Sequence, residues 1–557
     1  MKRVAAIGLD AAEWSRLAPL IASGELPNLA RIAERSRRFE LENTRGFRSE
    51  AVWTQFLTGR SSERSGYWTN VAYDPATYDV CDVGASTFDP FWVGLPDVRT
   101  IAFDIPHSAV WHRDPGTVQC TGWGAHSPLH PRAAHPAGLL SEIDERFGVH
   151  PGFLQDNTPC WWDPAFLEAL TDAAEQGAAR RIDVVRWLAE RFDDWNLLVT
   201  VMSEAHSVGH HAWHGVDEGH LAGGAASAPV ARRSMERTHR ALDEAVGRFA
   251  DDLPEGTHLL VFALHGMQDN TNDLPALALL PELLLRLQLG RRMLVNPRAE
   301  AWRRAGHPVE PPAISWIADA LALWADSPKR HLRRLLHFSL RPRGARWLFE
   351  ALGAMQRQGS PVDRFGTFPI TPEVEPPPPG RYRAGIEYQP VTWYQQHWRR
   401  MDAFALPTFS DGHVRINLAG REAAGTVPAS DYLAACERVV GWLRATVDPR
   451  TGQPVVEDVE VNRDPHRDGP PADVVVYWRS GIDAFEHPEA GLIGPVPLLR
   501  TGEHSSRGFA LVSGPGIEPG DGGARSALDI TPTIAALLGA QPDPSGDGSP
   551  LVSPAPV

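Results

Sequence analysis

Apolar runs of strand length constrain this chain more than any other feature. "VAAIGLD" (4–10), "RTIAFD" (99–104), "NLLVTVMS" (196–203), "HLLVFAL" (258–264) and "VVVYW" (474–478) are nearly continuous in apolar residues. That is the pattern of strands buried on both faces. Helical patterns stand apart from them at "LPNLARIAERS" (26–36), "RRIDVVRWLAERF" (180–192), "RRSMERTHRALDEAVGRFA" (232–250) and "SDYLAACERVVGWLRATV" (430–447). Strands separated by helices predict an α/β fold: a doubly wound, mainly parallel sheet flanked by helices. Chemistry in such sheets gathers beyond the carboxyl ends of the strands.

A chain of 557 residues suggests two to four domains, and its organisation changes twice. Residues 1–290 read as the first part of the α/β core and 401–557 as its second part. Residues 291–400 read as an inserted helical, basic cap. The insertion holds "SPKRHLRRLLHFSLRPRGARWLFEAL" (327–352) and a run of four prolines in "EVEPPPPGRYR" (373–383), an extended connector. Lys329, Arg330, Arg333, Arg334, Arg341, Arg343 and Arg346 read as a solvated helix face in preference to an anion site. Trp161, Trp162, Trp393, Tyr394 and Trp398 read as packing residues. The tail "SGDGSPLVSPAPV" is expected to be loose.

The apolar stretch of "MKRVAAIGLD" is too short for a signal peptide. "LPALALLPELLLRLQLG" (274–290), broken by Pro281 and carrying Glu282 and Arg286, reads as a core helix and not a membrane span. A net charge of −15 argues against nucleic acid or a membrane surface as partner. Cys81, Cys120, Cys160 and Cys436 are scattered, which reads as free thiols in a reducing, cytoplasmic setting. Nothing in the sequence specifies an oligomeric state.

Polar residues stand where the apolar runs end. Asp10 ends the first, His206 and His210 follow "NLLVTVMS", His265 follows "HLLVFAL", and His504 precedes a further apolar run. Any one of these histidines alone reads more readily as an ordinary hydrogen-bonded side chain. Converging on one crevice, they form a ligand set for a divalent metal: zinc by preference, with manganese or iron as alternatives. His206 and His210 are four apart, on one helical face. His211 and His214 read equally as substrate-binding or solvated. Ser49 precedes a helical pattern at 50–57, where an N-cap favours an alkoxide or a bound phosphoryl group. Arg45 and Arg48 lie near enough to serve an anionic substrate.

These segments, with "SGELPNLARIAERS", "SEAVWTQFLTG", "DGHVRINLAGRE", "GEHSSRGFALVSGPGIEPG" and "LDITPTIAALLG", resemble the alkaline phosphatase superfamily. The closest resemblance is to its type I phosphodiesterase/nucleotide pyrophosphatase branch. The resemblance implies two metals, one on Asp10, Ser49 and His265 and the other on His206, His210 and His504, with Ser49 as nucleophile. Two positions depart from the family pattern. His206 stands where an aspartate is usual, and Leu264 where the aspartate of Asp-His-Gly is usual.

A site with one carboxylate and two divalent ions keeps about three positive charges, an expensive excess in a low-dielectric crevice. Glu204, Asp269 and Glu503 are the carboxylates near enough in sequence to compensate. Otherwise one metal is lost and a three-histidine site remains. The leading expectation is therefore a metal-dependent hydrolase of a small anionic ester, a phosphodiester or phosphoanhydride, acting through Ser49. The alternatives are a one-metal hydrolase of a sulfate, carboxylic ester or lactone, a phosphotransferase or mutase, and a non-catalytic phospho-ligand binder.

Overall fold

The computed structural model describes residues 2–46, 51–83, 88–95, 97–110, 116–124, 132–152, 160–312, 316–324, 373, 386, 389–466, 469–540 and 546–553. Arg48, Ser49 and the basic run from Lys329 to Arg346 lie outside them, as does all of 373–383 but Glu373.

The strands that position the site are β1 (Val4–Leu9), β2 (Arg37–Glu42), β3 (Thr100–Phe103), β4 (Thr117–Thr121), β5 (Ala133–His135), β6 (Leu197–Met202), β7 (His258–Ala263), β8 (Met267–Asp269), β9 (Ala403–Leu406), β10 (Gly412–Ile416), β11 (Val456–Val461), β12 (Val474–Trp478), β13 (Gly502–His504), β14 (Arg507–Ser513) and β15 (Gly520–Ser526). Nine of them form one sheet in the order β15-β2-β14-β7-β1-β6-β3-β4-β5. β7, β1, β6, β3 and β4 are parallel neighbours. β14 runs antiparallel to β7 and β2. This is the mainly parallel sheet that the buried apolar runs require.

Helices cover both faces: α1 (Pro27–Glu34), α3 (Pro164–Arg191) and α5 (Ala228–Asp251) on one, α2 (Val52–Thr58) and α8 (Ile530–Leu538) on the other, while α4 (Glu204–Ala212) starts at the sheet's edge and α6 (Leu280–Leu289) and α7 (Tyr432–Arg444) belong to a separate apolar cluster. Because side chains alternate along a strand, β1 sends Ala5, Ile7 and Leu9 into a cluster with Leu29 and Ile32 of α1, Ile182 and Val185 of α3, and Leu242 and Val246 of α5. It sends Val4 and Ala6 to the opposite face, against Trp53 and Phe56 of α2 and Ile530 and Ile534 of α8.

Two expectations are corrected. The run 474–478 is a buried strand, β12, but it belongs to a second sheet of order β9-β10-β12-β11, antiparallel throughout. Its two apolar faces are explained by separate partners. Val474, Val476 and Trp478 join the cluster that includes Leu280 and Leu284 of α6, while Val475 and Tyr477 pack with Ala51. The tail is not loose across 546–553. Leu551 and Val552 are buried against the α2/α8 face of the main sheet. Asp547 accepts from Ser61 N at 2.8 Å and from Arg64 Nε at 2.7 Å.

The 274–290 segment is a core element, a π-helical turn at Pro275–Leu279 leading into α6. Glu282 and Arg286 pair at 2.7 Å inside it. Among the described residues no helix is long and apolar enough to cross a membrane. All four cysteines are free. Trp161 and Trp398 are buried, as packing residues are.

Burial holds three histidines neutral. Desolvation, with His220 and His211 nearby, pushes His214 down to about 3. Desolvation beside Arg16 pushes His239 down to about 4, and desolvation against a hydrogen bond to Gly46 leaves His413 at about 4. The unfolded chain takes up these protons near pH 6.5 and the folded chain does not. Stability is therefore fully present above about pH 6.5 and falls as pH drops toward 4. At pH 5 each group removes about 2 kcal/mol relative to pH 7.5. Thermal midpoints should fall clearly between those two pH values. A flat profile would show that these rings are protonated in the fold.

Candidate metal centre

The sheet brings the predicted ligands together by strand direction. β1, β6 and β7 are parallel and end at one edge, so Asp10, α4 and His265 all emerge there. β14 is antiparallel to β7, so the chain enters β14 from that same edge. His504, three residues ahead of β14, is thereby delivered to ligands that lie about 300 residues earlier.

α4 starts directly after β6, with Glu204 in its first turn, where a carboxylate complements the helix dipole. His206 and His210 occupy one face. Their Nε2 atoms are 3.2 Å apart, and the ring of His504 lies 4.8 Å from that of His206 and 5.0 Å from that of His210. One potential ligand atom from each of the three falls within 4.8 Å of the others, and all three side chains are buried. Two imidazole nitrogens on one tetrahedral zinc, each ~2.0–2.1 Å from it, sit about 3.3 Å apart. The donor set therefore fits a divalent ion.

The tautomer fits as well. His210 Nδ1 faces the Gly502 carbonyl at 2.8 Å. Donating there leaves the Nε2 lone pair directed at the other two rings, as in many metal-binding histidines. Two glycines make this approach possible. A Cβ on Gly502 would lie 2.2 Å from the Gly209 carbonyl oxygen, and one on Gly209 would lie 2.7 Å from Met267 Cε. Thr501 N also donates to the His210 carbonyl at 2.7 Å, tying β13 to α4. β13 pairs in turn with β8, Met267 opposite His504.

Beside the trio stands a second pair. His265 Nε2 is 3.2 Å from Asp10 Oδ1, and the His265 ring lies 4.2 Å from that of His504. Trp53 Nε1 donates to the same Asp10 oxygen at 3.1 Å. Gly8 lets β1 pack closely on its neighbours: a Cβ there would meet Val201 Cγ2 at 3.1 Å and Phe262 Cζ at 3.3 Å.

Two of the carboxylates able to compensate for Leu264, Glu204 and Asp269, are occupied elsewhere. Leu264 points into the apolar cluster with Val52, Phe56 and Phe262. Glu204 lies 3.1 Å from His150 and 3.6 Å from Arg181. Despite full burial, which opposes ionisation, Arg181 and His150 hold its carboxyl below the ordinary value. Asp269 pairs with His220 at 3.0 Å, and Glu503 lies 4.0 Å from Arg500. Among the described residues only the three histidines cluster as ligands.

Of the remaining predicted residues that are described, none joins the trio. His211 packs edge-on to Phe166 at 5.2 Å. His214 sits between Ser227 Oγ at 3.0 Å and Thr501 Oγ1 at 3.3 Å. Both are buried, which removes the solvated reading for each. Arg45 pairs with Asp458 at 2.7 Å, its guanidinium 3.7 Å above the Tyr477 ring. α2 begins at Val52. Sequence reasoning missed Trp53, on Asp10, and Arg500, whose Nη1 lies 3.2 Å from His210 Nε2. The signal for Arg500 was its place four residues before His504, in the same segment as a ligand.

Residues 4–328, well over half of the chain, match the sequence profile of the type I phosphodiesterase / nucleotide pyrophosphatase family. No curated protein matches the chain. Among solved structures, similarity extends to phosphonoacetate hydrolase from Sinorhizobium meliloti 1021 in complex with phosphonoformate. Identity is 15% over 52% of this chain, which spans 62% of that one, at a TM-score of 0.33. Murine ectonucleotide pyrophosphatase / phosphodiesterase 5 is 11% identical over 98% of each chain, at a TM-score of 0.46. A substituted form of alkaline phosphatase PafA is 11% identical over 99% of this chain and 98% of its own, at 0.43. With the profile match and the buried histidine trio, the chain belongs to the type I phosphodiesterase / nucleotide pyrophosphatase family and is a metal-dependent hydrolase of the alkaline phosphatase superfamily with an atypical, histidine-based metal site.

Proposed function

We propose a one-metal hydrolase of a small ester, with the ion held by His206, His210 and His504. The observation that carries this reading is the burial of Leu264 in the apolar core, with Glu204 and Asp269 engaged away from the trio. A divalent ion of the zinc class in that cradle supplies Lewis acidity and a nucleophile at neutral pH.

The chain's own groups do the rest. The Gly502 carbonyl fixes the His210 tautomer, and the glycine contact holds α4 against β13. Trp53 holds one oxygen of Asp10, and Asp10 orients the His265 ring. With Nε2 on Asp10, Nδ1 of His265, 3.3 Å from the Gly266 carbonyl, is the nitrogen left to exchange a proton with the leaving oxygen as general acid–base. Candidate scissile groups are sulfate, carboxylic ester and lactone.

The Asp10–His265 pair also favours a second reading, in which these residues keep half of another metal site and Ser49 attacks a phosphodiester. Elemental analysis separates the two. One ion per chain, retained in His265→Gln with turnover of p-nitrophenyl esters lost, is the expected result. Two ions in the wild type, with one lost in His265→Gln, would put the two-metal Ser49 route in its place.

A further inference from the structure

Glu13 lies three residues after Asp10, on the turn that joins β1 to the helix Trp14–Ala22. Its two carboxylate oxygens serve different partners. Oε1 accepts from Ser15 N at 3.2 Å and caps that helix. Oε2 accepts from Ser505 Oγ at 3.2 Å, 492 residues along the chain. Gly266 leaves the room for it: a Cβ there would lie 2.1 Å from Oε2 and 2.9 Å from Ser505 Oγ. Ser505 N donates to the Gly266 carbonyl at 3.0 Å, so the backbone joins the same segments.

Each of these residues adjoins a side chain of the metal centre. Gly266 follows His265 and Ser505 follows His504, and the two rings stand 4.2 Å apart. Glu13 shares its turn with Asp10, which lies 3.2 Å from His265 Nε2. Ala11, between them, sits at φ 57°, in the left-handed region, where a non-glycine residue stays only if its surroundings hold it. His206 and His210 come to the trio together on α4, whereas His504 arrives on a separate segment. Pairing of β13 with β8 holds that segment up to His504. The Glu13–Ser505 contact holds it immediately after. Helix capping does not call for glutamate, since Ser, Asn and Asp are the favoured caps. Glutamate has the length to cap with one oxygen and reach Ser505 with the other.

We propose that Glu13 is a positioning residue of the metal centre: its carboxylate ties the segment that carries His504 to the turn that carries Asp10, across Gly266, and so fixes where His504 stands on the ion. The proposal rests on the three-histidine metal reading.

The test separates the tie from the cap. Glu13→Ser keeps a favoured cap but is too short to reach Ser505. Glu13→Gln keeps both, with its amide N–H donating to Ser505 Oγ and its carbonyl oxygen accepting from Ser15 N. Zinc affinity of the full chain is read by competition with a chromophoric chelator. Coordination geometry is read from the visible bands of the cobalt(II)-loaded chain. The expected result for Glu13→Ser is zinc affinity lowered about tenfold to a hundredfold, with altered cobalt bands and a thermal midpoint unchanged or raised. Ser505→Ala should reproduce that loss, and the double variant should be no weaker than either single one. Glu13→Gln should restore both readouts. Wild-type zinc affinity and cobalt bands in Glu13→Ser would overturn the role of Glu13 while sparing the metal reading. A loss matched by a lowered midpoint would overturn it too, leaving Glu13 a helix cap. So would a Glu13→Gln as weak as Glu13→Ser, because charge and not the tie would then support the ion. A wild-type chain that binds no zinc would overturn both the proposal and the metal reading.

Discussion

His210→Ala is expected to lose its metal and with it nearly all turnover. The variant removes one of three ligands and also the Nδ1 contact to Gly502 that holds α4 against β13. Disturbing an outer partner of a metal ligand already costs 10–100-fold in affinity, so removing a ligand should cost more than about a hundredfold. The rate should fall on the order of a thousandfold, the several kcal/mol a Lewis acid contributes to a hydrolytic transition state. Dialysis against a zinc buffer, followed by elemental analysis, reads the first effect. A panel of p-nitrophenyl esters reads the second. Unchanged far-ultraviolet circular dichroism would assign both to the site and not to unfolding. Stoichiometric zinc in the variant would remove His210 from the ligand set.

Arg181→Met should produce the largest loss of stability. Arg181 is fully buried on α3. Its Nη1 lies 2.8 Å from Asp104 Oδ2, and its Nε lies 3.6 Å from Glu204 Oε1. Its guanidinium also packs 5.2 Å from the Trp123 ring. Asp104 accepts from the backbone N–H of Trp123 and Gly124 at 2.9 and 2.8 Å, so it remains fixed in place when the arginine goes. Two carboxylates would then be left in the interior with one cation removed, which costs about 3–5 kcal/mol. Thermal or urea unfolding should show the main transition lowered, and Arg181→Lys should recover part of the loss. The effect should reach the site, because Glu204 opens the helix that carries His206 and His210. An unchanged midpoint in Arg181→Met would mean that water reaches the network and screens it.

Much of this site was legible in the chain. The continuous apolar runs required strands buried on both faces, hence a sheet with helices on both sides. Polar residues after three of these runs, and His504 just before another, placed Asp10, His206, His210, His265 and His504 at one edge. The i, i+4 spacing put two histidines on one face of α4. Leu264, set against the family pattern, already announced a missing carboxylate. All of these are local: composition and period along a few residues decide them.

Other features depend on which segments meet. The period of 474–478 is that of any buried strand, and only its pairing with β10 and β11 puts it in the second sheet. The tail looks polar and short, yet Leu551 and Val552 find an apolar surface made by α2 and α8. Neither Trp53 on Asp10, nor Gly209 against Gly502, nor Arg500 on His210 is written in local sequence. Each is a contact between segments far apart in the chain. Glu204, Asp269 and Glu503 were equally eligible by position, and tertiary pairing with Arg181 and His150, and with His220, decided the fates of the first two. Residue type and period determined which chemistry could be present and at which strand ends. Long-range packing decided which donors stand together, because hydrogen bonds and ion pairs depend on distance in space and not on separation along the chain.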